Sequence, residues 1–216
     1  AIYNNLEKMR PILRDKGIKL TTLQPKKSFL YYMLKKPVSS NSKGKHFGYG
    51  WCGGVCRWGT TCKLKALDDY TKDADIVYIG IAADEPERLQ RLKGNKYSLI
   101  AELRMSEVDC LNYCRQRGWN WNEETPVTKS GFIDLYDILD RVSCWCCCNK
   151  NKKELRNIFI YLPNYWEKLK ALQSRIARPM KNYKNKEYGE NAGNVFVLEK
   201  QFKKEIGAKL DEEAEE

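Results

Sequence analysis

Apolar positions along the chain switch between helical spacing and extended runs. Ile2–Lys16 reads as a helix, with Pro11 a weak point and Gly17 its stop. "IKLTTLQ" (Ile18–Gln24) alternates and is β-branched, which predicts a strand. Ser28 is placed to cap a short helix reaching Lys36, and Pro37 ends it. The polar stretch Pro37–Gly50 reads as a flexible connector, after which Thr60 or Thr61 caps a helix over Cys62–Tyr70. "DIVYIGIAA" (Asp75–Ala83) is almost continuously apolar, the pattern of a strand covered on both faces, as in parallel sheets.

The second half is mostly helical in pattern. Pro86 opens a helix, Tyr97–Leu103 is short and extended, and Ser106 caps a helix that Gly118 stops. Beyond the cysteine-rich "SCWCCCNK", helices are expected over Lys152–Leu162 and from Asn164 to about Ala177. Near the C-terminus Asn194–Ile206 forms an amphipathic helix and Asp211–Glu216 a solvated acidic tail. Strands alternating with helices predict an α/β fold, a parallel sheet flanked by helices, with a helical, Cys-rich C-terminal part. The expected organisation is a core over 1–143, the Cys-rich segment and helices over 144–210, and the tail over 211–216.

Composition narrows the classes. With 42% hydrophobic residues the chain is not a disordered one, and no apolar run approaches the ~18 residues of a membrane span. A membrane partner is therefore not expected. The net charge is +11, and removing the five acids of the tail leaves the rest at +16. Such a body attracts phosphates, whether of nucleotides or of nucleic acid, although lysines such as those of Lys181–Lys186 equally serve solubility. The chain opens in helical pattern without an initiator Met, so it is expected to be a piece of something longer.

Nine cysteines with no secretory leader argue for reduced thiols in the cytoplasm rather than a disulfide framework. They gather in two places. "GYGWCGGVCRWGTTCK" holds Cys52, Cys56 and Cys62, and Cys144, Cys146, Cys147 and Cys148 follow some eighty residues later. Cys144 and Cys147 form a C-x-x-C, whose thiolates can reach one ion from a single turn. The expected ligands are Cys56, Cys62, Cys144 and Cys147, with Cys52, Cys146 and Cys148 as substitutes. Soft thiolates select zinc or an iron–sulfur cluster such as [4Fe–4S], and spacing does not choose between them. Cys110 and Cys114, at i and i+4 of one helix, read as small buried hydrophobes, and His46 as a solvated loop residue.

Three motifs, taken in order, resemble the PAPS (phosphoadenosine phosphosulfate) reductase family. Arg57, Trp58, Thr60 and Lys63 match its Arg-Trp-Cys-Thr…Lys segment. Gly80, Ile81, Glu85 and Arg88 match its Gly-Ile-Arg-x-x-Glu-Ser-x-x-Arg. Cys144, Trp145, Cys147, Leu155, Pro163 and Trp166 match its Cys-Trp-x-Cys-Pro…Leu…Pro-x-x-Trp module. The resemblance spans Gly48–Leu172 and implies an adenine nucleotide alpha-hydrolase-like fold, a bound adenine nucleotide (ATP or PAPS) and sulfur transfer or nucleotide activation. The family's first strand and Ser-Gly-Gly-Lys-Asp-Ser phosphate loop are absent from this chain, so the resemblance implies either that a preceding N-terminal part has been removed or that a second polypeptide carries them. Gly59 stands where the family often has Cys, and no Cys-bearing tail closes the chain, which speaks against thioredoxin-coupled reduction.

Within that resemblance Arg57, Lys63 and Arg88 are the candidates to hold phosphate or sulfate oxygens, since guanidinium forks and an ammonium suit them. Each would equally serve in a surface ion pair. Gly53 and Gly54 allow close approach of backbone to ligand, or a plain turn. Glu85 would orient Arg88 or a ribose, a place a first-turn helix acid also fills. Trp58 and Trp145 read as core. The competing expectation is a nucleic-acid-binding module with a structural zinc, and both hold together if nucleic acid receives the sulfur.

Overall fold

The computed structural model describes residues 1–40, 44–51 and 56–215, excluding the side chains of 40, 60, 61 and 208–215. The chain forms two compact units interleaved in sequence. The first joins Ala1–Leu23 to Lys65–Trp121, and the second joins Gln24–Leu64 to Asn122–Glu216. Where a boundary was expected at 143/144, the early Cys-bearing stretch instead shares a unit with the late one. The physical reason is aromatic packing: Phe29 sets its ring edge-on to Trp58 at 5.3 Å and to Trp145 at 6.4 Å.

The fold is mixed α/β, with ten α-helices and three two-stranded sheets among the described residues. In the first unit α1 (Ile2–Asp15) runs through Pro11. α3 (Leu64–Thr71) begins at the boundary between the units. β3 (Val77–Tyr78) pairs in parallel with β4 (Lys96–Tyr97). α4 (Pro86–Leu89) and α5 (Leu99–Glu102) are single turns. α6 (Glu107–Arg115) opens on a reciprocal cap between Ser106 and Asp109.

The second unit begins with α2 (Phe29–Leu34), whose first turn is capped by the Ser28 hydroxyl accepting from the Tyr31 amide. β1 (Pro37–Ser40) and β2 (Gly44–Phe47) form an antiparallel hairpin where a flexible connector was expected. β5 (Asn122–Glu124) pairs antiparallel with β6 (Phe132–Asp134), followed by α7 (Leu135–Ile138). Three longer helices complete it: α8 (Lys152–Tyr161), α9 (Pro163–Gln173) and α10 (Val195–Glu215). Asn151 and Glu154 cap α8 reciprocally, and Pro163 occupies the first turn of α9, where its missing N–H costs nothing.

The most completely buried apolar side chains lie on α8, α9 and α10. Leu155, Leu169, Val195, Leu198 and Phe202 are fully buried. Phe159, Trp166 and Phe202 form a ring cluster with centroids 5.4–6.0 Å apart. The Trp166 indole N–H donates to Glu199 at 3.0 Å, so the largest buried ring also satisfies its polar atom.

The larger parallel sheet is not among the described residues; two residues of Asp75–Ala83 enter a ladder, and Tyr97 is the last residue of the other strand. Ile18–Gln24 forms no strand, because alternation supplies a face but not a partner to pair with. Helix begins at Trp58, before the expected threonine cap, in a wide π-type turn over Trp58–Lys63 that runs into α3. The acidic residues 211–215 continue α10 rather than forming a separate tail.

Candidate thiol site

The π-type turn and the segment after α7 meet inside the second unit. Cys56, Cys144, Cys146, Cys147 and Cys148 line one cavity of about 50 Å³, together with Arg57, Trp58, Phe29 and Trp51. A π-type turn is wider than an α-turn and is common where a helix carries function. Here it directs Lys63 at the late segment: its Nζ donates to Cys144 Sγ at 3.2 Å, across 81 residues of sequence. The Gly59 amide donates to Cys56 Sγ at 3.3 Å. In the late segment Cys147 N bonds Cys144 O at 3.0 Å and Lys150 N bonds Cys147 O at 3.3 Å, the tight turn that C-x-x-C spacing predicts.

Three of the four expected ligands, Cys56, Cys144 and Cys147, share this cavity. Cys62 is buried but is not among the described lining residues; it faces Lys36 and Tyr32, with Cys56 within electrostatic reach. Burial pushes its thiol up, opposed by the Lys36 ammonium. The substitutes Cys146 and Cys148 take places in the wall instead. Burial, then the neighbouring Cys144 thiol, pushes Cys146 up to about 12. As the residues stand it is a protonated thiol, and a metal would have to displace that proton. All eight described cysteines are free thiols. The donor set suits a thiophilic metal, yet among the described residues no group of three or more His, Cys, Asp or Glu is arranged to hold an ion.

The oxyanion candidates divide between the units. Arg57 lines the thiol cavity and Lys63 touches Cys144. Arg88 lies in the first unit, where its Nη1 donates to both Glu85 carboxylate oxygens at 2.5 Å. Gly53, Gly54 and Cys52 lie outside the described residues. Trp58 and Trp145 are half-buried against Phe29, consistent with a packing role. Cys110 and Cys114 are half-buried on α6 rather than enclosed.

Sequence reasoning missed Lys150. It is 2% exposed, and its Nζ donates to Ser143 Oγ at 2.9 Å. Burial holds its pKa below the usual lysine value, against the pull of Glu154 and then of Cys147, Cys144 and Cys146. In "NKNKKEL" nothing separates Lys150 from the exposed Lys152 and Lys153. The one available signal was its place in the first turn after C-x-x-C.

Compared with family models, curated proteins and solved structures, the chain finds no match.

Proposed function

We propose that this chain is a PAPS reductase-like protein that holds a Cys-ligated metal or iron–sulfur cluster beside an adenine nucleotide or phosphosulfate, and works in cytoplasmic sulfur transfer or nucleotide activation. The observation that carries the reading is the meeting of Cys56 and Arg57 with Cys144–Cys148 in one cavity, with the Lys63 ammonium on Cys144. Cys56, Cys144 and Cys147 would hold the inorganic centre, completed by Cys62, Cys146 or Cys52. When bound, zinc would supply a rigid staple or Lewis acid, and a cluster would supply electron transfer. Lys63 and Arg57 offer charge-assisted bonds to a phosphate or sulfate. Arg88, paired with Glu85 in the first unit, is a candidate for an oxyanion there. The phosphate loop that the resemblance requires would come from a segment preceding Ala1 or from another polypeptide.

Anaerobically purified full chain tests this. Broad absorbance near ~400 nm with bound iron, or colourless protein with stoichiometric zinc, is expected, and Cys144→Ser with Cys147→Ser should abolish either. Protein that folds with neither metal would overturn the proposal. Calorimetry of the metal-loaded protein with ATP, adenylyl sulfate and PAPS tests the nucleotide half, and silence with all three rejects it.

The second reading, a nucleic-acid-binding module with structural zinc, is favoured by the net charge of +11 and by an arginine-walled cavity in the second unit.

A further inference from the structure

A cavity of about 190 Å³ lies in the second unit, lined by His46, Phe47, Tyr49, Trp51, Arg175 and Arg178 among others. None of the described thiols lines it. Both walls are built. On one side Gln173, itself 3% exposed, donates to the carbonyls of Ile176 and Arg178 and accepts from the Met180 amide at 3.1 Å. That fixes the backbone of the arginine-bearing turn after α9. On the other side the Gly48 amide donates to Lys36 O at 2.7 Å, Tyr49 N to Tyr32 O at 2.9 Å, and Gly50 N to Met33 O at 3.0 Å. A Cβ on Gly50 would stand 3.2 Å from Ile176 Cγ2, so the two walls close on each other there.

The lining is chemically one-sided. It holds two arginines and a histidine, and no carboxylate among the described lining residues. Arg178 reaches Asn182 Oδ1 at 3.1 Å, while Arg175 is exposed and makes no ion pair among the described residues. Phe47 is 75% exposed, an apolar ring left in water beside these cations. Trp51 is 3% exposed, and its indole N–H is buried without a hydrogen-bond partner among the described residues. A buried donor left unpaired is costly, and a ligand acceptor that reached it would recover that cost.

From these features we infer that the cavity takes one nucleotide of a single-stranded nucleic acid, the phosphate on Arg175 and Arg178 and the base against Phe47. The volume decides against an enclosed whole cofactor, whose pockets run to roughly 300–1,000 Å³. It suits one ring or one phosphate of a ligand that continues outside. The net charge of +11 favours a polyanion for that remainder. Stacking on an exposed ring needs an unpaired base, which excludes a duplex. This inference deepens the second reading of the function but does not depend on whether the thiols hold metal.

The test is fluorescence anisotropy of the full chain with a labelled oligothymidine of about twelve nucleotides, across about 50–200 mM salt. Binding that weakens steeply with salt is expected. Phe47→Ala and Arg178→Gln should each weaken it about tenfold. Arg175→Gln, at an exposed position that the fold does not need, should lower the salt slope by about 0.7. Lys153→Gln, an exposed change on α8, should shift affinity less than about twofold. Metal content should be the same in all four variants, which separates this result from failure of the thiol site. Wild-type affinity in Phe47→Ala and Arg175→Gln would overturn the inference. So would AMP competing as tightly as the oligonucleotide, or a duplex binding equally well.

Discussion

The two compact units handle apolar surface in opposite ways. In the second, α8, α9 and α10 bury Leu155, Leu169, Val195, Leu198 and Phe202 completely. In the first, Ile2, Tyr3, Ile12, Ile76, Tyr78, Leu103 and Val108 are all exposed, and the buried apolar residues are only Ile81 and Ala82 among those described. Folding free energy follows apolar area removed from water, so the second unit holds most of this chain's stability. The run Asp75–Ala83 makes the point locally: its composition is that of a strand covered on both faces, yet Tyr78 remains 59% exposed. Amides of α8–α10 should accordingly exchange at the slow, global limit, and those of α1 and β3 much faster.

That contrast can be broken at graded cost. The largest effect is expected from Phe202→Ala, which empties a site packed against Phe159 and Trp166; it should cost about 4 kcal/mol in urea unfolding followed by Trp fluorescence. Gly48→Ala should cost about 3 kcal/mol and erode the hairpin. Its Cβ would lie 2.2 Å from the Met33 carbonyl oxygen, at a φ of +73° that side chains resist.

A pH effect comes next. Burial pushes the Glu199 carboxyl up, but hydrogen bonds from Lys203, Trp166 and Lys170 outweigh it and hold the group at about 2. Its folded value lies below the unfolded one, so its stabilisation is present above about pH 4.5 and is lost as pH falls toward 2. Wild type should lose about 2 kcal/mol more than Glu199→Gln between pH 6 and 2.5 in denaturant titrations. The smallest effect belongs to the first unit. Asn5→Ala removes the bond from Asn5 Nδ2 to Asn120 O at 2.8 Å and should cost about 1 kcal/mol, read as faster exchange confined to α1.

Legibility in the sequence tracked how local the cause was. α2 and α6 announced themselves because periodicity and caps (Ser28, Ser106) lie within a few residues of what they stabilise, and α8 showed in its periodicity alone. Strands depend on distant partners. The pairing of Val77 with Lys96, or of Val38 with His46, leaves no trace in either segment alone. The thiol site was half legible. Clustering and C-x-x-C spacing singled out Cys56, Cys144 and Cys147, but the exchange of Cys62 for Cys146 and Cys148 depends on which way Cys62 faces from the π-type turn and on the path of the segment after α7. Lys150 looked like any surface lysine because burial is a property of the packed turn, not of the residue type.

Trp51 borders both the thiol cavity and the arginine-walled one. A single indole plate is thus a party wall between two compartments of different chemistry. An occupant of one side that shifted that plate would be felt on the other, and thermodynamic reciprocity would make the influence equal in both directions. Comparison with Trp51→Phe would single out its share of the emission of the chain's six tryptophans.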